Sequence, residues 1–125
     1  MPTELVSQIA PIEELALCLG LPLIEKPGME ADDVMATLAR RGEEQGYEVL
    51  LVTGDKDMLQ VVDDRVTVLW PQARGEDYLR MDPAAVGGKW GVPPTLIRDV
   101  LALMGDHSDN IPGVKGIGTK TALAL

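Results

Sequence analysis

Apolar positions recur with a helical period over residues 3–19, at Leu5, Ile9, Ile12, Leu15, Leu17 and Leu19. The pattern predicts a helix that Pro11 kinks or divides and that Gly20 stops. LPLIE at 21–25 predicts a short buried strand, and Lys26-Pro27-Gly28 a turn. A second helix is expected over about 30–45, ended by Gly46, with Val34, Met35 and Leu38 inward. EVLLVTG at 48–54 is an unbroken apolar run, which predicts a strand buried on both faces, as in a parallel sheet. A short helix over 56–62 follows, then a strand at VTVLW, 66–70. Residues 72–80 suit an exposed hairpin or loop, and Asp63-Asp64 a turn. Asp82 caps a helix that Pro83 opens and that reaches Trp90. Gly91-Val92-Pro93-Pro94 is a hinge, and 95–105 an amphipathic helix with Leu96, Val100, Leu103 and Met104 inward. The predicted class is α/β, with three parallel strands. That number is small for a doubly covered sheet, and the last helical pattern runs into Leu125, so an incomplete domain is expected.

Composition narrows this picture. The 125 residues suffice for one compact domain, and 46% hydrophobic content is ordinary. No apolar run reaches a membrane span, and the N-terminus lacks the basic head and apolar stretch of a signal peptide. One cysteine, Cys18, excludes an intrachain disulfide, fits a reducing cytoplasm and is expected to be a buried small hydrophobe. Aromatic residues are scarce, which disfavours a base-stacking platform. The net charge of −9 argues against a nucleic-acid partner unless the acids are clustered and neutralised by cations.

Their distribution favours clustering. Glu30, Asp32 and Asp33 open the second helix, and three acids in four positions exceed what capping needs. Asp55 and Asp57 follow the clearest strand, at the strand end where α/β folds bind ligands. Asp106 and Asp109 stand in a polar loop ahead of Pro112, Gly113, Gly116 and Gly118, which let backbone N–H groups approach a phosphate. Two carboxylates 4 Å apart repel by about 4 kcal/mol even at an effective dielectric of ~20, so seven together require bound cations. Oxygen-only ligands favour Mg²⁺ or Mn²⁺, and two such ions about 4 Å apart are the machinery of in-line phosphodiester hydrolysis. The glycine run is no P-loop, because Thr119 follows Gly118 where Lys is required. Asp55-Lys56-Asp57 lacks EF-hand spacing, and His107, without a nucleophile arrangement, is expected to be a loop residue.

GMEADDV (28–34), VTGDKDMLQ (52–60), GVPPTLIRDVLALMGDHSDNIPGVKGIGTKTA (91–122) and the opening MPTEL together resemble the 5′-nuclease domain of bacterial DNA polymerase I, within the flap endonuclease superfamily. The resemblance spans nearly the whole chain. It implies a PIN-like α/β core over 1–90, then a helix–three-turn–helix DNA-binding segment of helix-hairpin-helix type over 91–125. It implies a structure-specific 5′-3′ exonuclease and 5′-flap endonuclease acting on DNA flaps, nicks and RNA primers in Okazaki fragment processing and excision repair. Glu30, Asp32, Asp33, Asp55, Asp57, Asp106 and Asp109 match the family's two-metal ligands. Gly113, Gly116, Gly118 and Lys120 match its backbone-gripping hairpin, with Thr119 and Thr121 as phosphate contacts and K⁺ held by hairpin carbonyls. A fused or cooperating polymerase domain and a bacterial cytoplasmic setting are also implied. The family's earlier metal aspartates and basic arch have no counterpart here, so truncation at both ends and weak or no cleavage by the isolated chain are expected. Two rivals remain: a non-catalytic DNA-binding fragment with an incomplete metal site, and a metal-dependent phosphatase for small substrates.

Overall fold

The computed structural model describes residues 3–72 and 77–125, in two compact units, Met1–Val34 and Met35–Leu125. The expected loop at 72–80 falls partly on residues 73–76, and the MPTEL motif partly on residues 1 and 2. Those positions lie outside the described residues.

In the first unit, helix α1 (Thr3–Cys18) runs through Pro11 as a single element. Its C-terminal turn closes by a 3.0 Å bond from Leu21 N–H to the Ala16 carbonyl, with Gly20 left-handed at φ 74°. No residue of α1 is buried, and Cys18 is exposed rather than a core residue. The expected strand at 21–25 is also absent. These residues are exposed and carry no ladder hydrogen bonds among the described residues, so β-propensity there has no partner strand to act through. The turn at 26–28 forms, with Met29 N–H on the Lys26 carbonyl at 3.1 Å and Gly28 at φ 81°.

Helix α2 (Ala31–Glu44) carries the chain into the second unit. Gly46, at φ 84°, ends it. Ala39 is its buried residue, flanked by half-buried Met35 and Ala36, while Leu38 is exposed. The small alanines, rather than the larger leucine, therefore mark its inner face.

Strands β1 (Val49–Val52), β2 (Val66–Pro71) and β3 (Tyr78–Met81) form a sheet of that order. β1 and β2 are parallel, with Leu51 opposite Val68. β3 is antiparallel to β2, with Met81 opposite Val68. Only part of the expected parallel sheet is therefore present. β1 is an edge strand buried on one face: Leu51 is buried, whereas Leu50 and Val52 are 52% and 56% exposed. Between β1 and β2 lies a 3-10 helix, Lys56–Val61, and β3 leads into α3 (Pro83–Trp90). Asp82 caps α3 as expected, accepting from Ala85 N–H at 2.8 Å.

After Gly91, a 3-10 turn (Pro94–Leu96) precedes α4 (Ile97–Met104). Because the α-helical period starts only at Ile97, the buried pair is Ile97 and Val100, and Leu96 is exposed. The short helix α5 (Thr119–Ala122) buries Ala122. Leu59, Val66, Val68, Met81, Val86 and Ile97 are fully buried. At about 1.5–3 kcal/mol per large apolar side chain, they dominate the stabilisation of this unit.

Candidate metal centre

The centre is built where β1 ends and where α4 ends. After β1, Thr53 Oγ1 accepts from Asp55 N–H at 3.1 Å. Asp55 Oδ1 in turn accepts from Asp57 N–H at 2.9 Å, so Asp55 is the N-cap of the 3-10 helix. The tight turn fixes the directions of both aspartates.

At the end of α4 the chain reverses through a backbone crossing. Asp106 and Ile111 exchange two hydrogen bonds: 2.8 Å from Asp106 N–H and 2.7 Å back to its carbonyl. Asn110 takes the left-handed conformation at φ 57°. Gly105 and Gly113 pass so closely that a Cβ on Gly105 would lie 2.6 Å from both Gly113 N and the Ile111 carbonyl oxygen. Only glycine permits that approach, at φ 79° and 63°. The loop is folded further by Asp106 Oδ1, which accepts from Ser108 N–H at 2.9 Å.

These two turns bring Asp57, Asp106 and Asp109 together, with one oxygen of each within 4.8 Å of the others. Asp106 is 7% exposed, Asp57 half-buried and Asp109 exposed. Asp57 Oδ1 is buried without a hydrogen-bond partner among the described residues. Asp106 Oδ2, also buried, has the Lys56 ammonium as its ion-pair partner. Burial pushes the Asp57 carboxyl above the usual carboxylate range, and the adjacent Asp55 charge adds to the effect. The hydrogen-bonding ammonium of Lys56, helped by Ser108 N–H, holds Asp106 below that range, and Asp106 reciprocally raises Lys56.

The residues present fit a hard divalent cation. Three carboxylates converge, every donor is oxygen, and two buried oxygens have unused lone pairs.

Of the seven acids singled out in the sequence, Asp57, Asp106 and Asp109 are brought together, with Asp55 hydrogen-bonded beside them. Glu30, Asp32 and Asp33 belong to the first unit: Glu30 just precedes α2, and the two aspartates are in its first turn. His107 is exposed in the loop. In the hairpin, Gly116 is left-handed at φ 87°, Gly118 precedes α5, and Thr119, Lys120 and Thr121 are exposed. Lys56 is the participant that the sequence pattern did not single out. Its only local signal is a position between two aspartates.

This geometry can be set beside known proteins. Residues 1–91 match the family described as 5'-3' exonuclease, N-terminal resolvase-like domain, and residues 92–125 its C-terminal SAM fold. The chain belongs to the 5'-3' exonuclease family. It is 50% identical over 124 residues to the thermostable DNA polymerase I of Thermus aquaticus, and 48% identical over 121 residues to DNA polymerase I of Mycobacterium tuberculosis. These matches cover 99% and 97% of the chain but only 14% and 13% of the relatives. Among solved structures, the T5 D15 protein co-crystallised with metal ions is 25% identical with a TM-score of 0.79, matching 99% of this chain and 48% of that one. The catalytic core of Rad2 in complex with a DNA substrate, at 20% identity and a TM-score of 0.63, shares the fold. Membership of the exonuclease family thus meets the expectation drawn from the motifs. Among the described residues, no helix is long and apolar enough to cross a membrane.

Proposed function

We propose that this chain forms the metal-binding part of a 5′-3′ exonuclease and 5′-flap endonuclease that hydrolyses DNA phosphodiesters, fused to or acting with a polymerase in the bacterial cytoplasm. The observation that carries this reading is the convergence of Asp57, Asp106 and Asp109 in a chain of the exonuclease family. Those three, with Asp55 beside them, would hold Mg²⁺ or Mn²⁺, two ions being the family's set, and the motif that Glu30, Asp32 and Asp33 match makes them metal ligands as well. When bound, such cations supply Lewis-acid activation of water and offset the charge that builds on the phosphate. The protein's own residues hold the geometry. Asp55 fixes the backbone of Asp57, and Lys56 keeps Asp106 ionised. Residues 1–90 act as the core. Residues 91–125 act as the DNA-binding segment, where Gly113, Gly116, Gly118, Thr119, Lys120 and Thr121 meet the duplex backbone around a K⁺ site. Nicks and RNA primers are substrates of the same chemistry.

The test replaces Asp106 and Asp109 by Asn in the longer polymerase-fused protein that the reading implies. Flap cleavage should be lost while flap-duplex binding survives. Retained cleavage would remove the carboxylates from the mechanism. Turnover of a small phosphate ester in preference to a flap duplex would favour the phosphatase reading instead.

A further inference from the structure

The carboxylate cluster has a neighbour of opposite character. Asp55, Lys56 and Asp109 share a cleft of about 340 Å³ with Trp70, Lys89 and Trp90, Lys56 being the lysine already paired with Asp106. This volume lies at the small end of the range for ligand sites, roughly 300–1,000 Å³. Lys89 stands in the last turn of α3, its Nζ 4.7 Å from the centroid of the Trp70 ring on β2. Among the described residues Lys89 makes no ion pair, although it shares the cleft with two aspartates in a chain of net charge −9. The Trp70 face braces the ammonium without neutralising it. The indole N–H of Trp90, in the same cleft, is buried and has no hydrogen-bond partner among the described residues. One side therefore carries two aspartates and a lysine already paired with Asp106, and the other a lysine with no ion pair among the described residues.

A helix-terminal lysine stacked on tryptophan could serve stability alone, through the helix dipole and the ring. That role does not require a cleft shared with the acids. A nucleic-acid strand gives that placement a use. Its phosphates are repelled by carboxylates, and an ammonium free of an ion pair beside the cluster favours their approach.

We propose that Lys89, braced on Trp70, binds the backbone phosphate next to the one that lies at the Asp57, Asp106 and Asp109 cluster. The proposal rests on the nuclease reading and adds a contact on α3, outside the glycine hairpin. The contact is to phosphate, so it carries no base preference.

The test is equilibrium binding of a fluorescent 5′-flap duplex over a salt series, in Ca²⁺, by the unaltered chain and by Lys89→Ala and Lys89→Arg. Circular dichroism establishes that each variant is folded. The expected result is several-fold weaker binding by Lys89→Ala, with the slope of log K against log salt shallower by about 0.7–0.9, one phosphate contact. Lys89→Arg should keep the original slope. If Lys89→Ala binds with unchanged affinity and slope while the unaltered chain binds well, this inference fails and the nuclease reading stands. If the unaltered chain binds no flap duplex at any salt, both fail.

Discussion

Asp57 and Asp106 are the same residue type in one cluster, yet their surroundings push their protons in opposite directions. Asp57 is raised by burial and by Asp55, and Asp106 is lowered by Lys56 and Ser108. In the metal-free protein, a carboxyl NMR titration should show Asp106 ionising first as pH rises and Asp57 later, above the ordinary aspartate range. Adding Mg²⁺ should lower the Asp57 value, since a cation favours the charged form. Indistinguishable titrations would contradict the site's electrostatics. Lys56 supplies a second expectation. Lys56→Met leaves the Asp106 carboxylate buried without its counter-charge, so the melting temperature should fall, and fall less in Mg²⁺ than in EDTA. An equal loss in both solutions would mean that cation and ammonium do not serve the same oxygen. The acids themselves were legible in the sequence because each lies at the end of an element. The ion pair was not, because Lys56 and Asp106 are 50 positions apart and only the fold brings them together.

The loop after α4 depends on two glycine backbones in contact. Gly105→Ala would place a methyl group 2.6 Å from backbone atoms, at φ 79°. Backbone cannot swing aside as a side chain does, so denaturant unfolding should show a loss of at least about 2 kcal/mol. Metal binding should weaken with it, because Asp106 and Asp109 hang on that loop. The turn before β2 is a smaller case. Asp63 Oδ1 accepts from Arg65 N–H at 2.8 Å and Val66 N–H at 2.9 Å. Partial burial raises its pKa, but these bonds, together with Glu43 and the Arg40 charge, leave it lowered overall. A lowered folded value contributes stability above the unfolded pKa that is lost as pH falls through the folded one. Asp63→Ala should therefore cost about 1–2 kcal/mol near neutral pH and progressively less below pH ~4, as read from unfolding at several pH values. A cost that did not change with pH would assign the effect to something other than the ionised cap. Helices α2 and α3 and the turn residues were legible because caps and periodicity are local signals. Leu50, Val52, Leu96 and the 21–25 segment misled because burial depends on which element is adjacent. An apolar run states a preference for burial but does not supply the neighbour.

At the scale of the molecule, 20 acidic residues against 11 basic ones look unsuited to DNA until their placement is considered. Three of the acids converge with buried, under-used oxygens, a lysine pairs with one of them, and a second lysine faces the adjoining cleft. The family was readable from motifs spread over nearly the whole chain. The share of the curated relatives that the chain spans, 13–14%, follows only from comparison with them. The central claim is that the Asp57, Asp106 and Asp109 carboxylates hold a divalent cation. Calorimetric titration of Mn²⁺ into the chain and into its Asp57→Asn, Asp106→Asn and Asp109→Asn triple variant tests it directly. Saturable binding by the unaltered chain, weakened at least about tenfold in the triple variant, is the predicted result, equivalent to about 1.4 kcal/mol or more. Equal binding by the two proteins, or none by the unaltered chain, would contradict it.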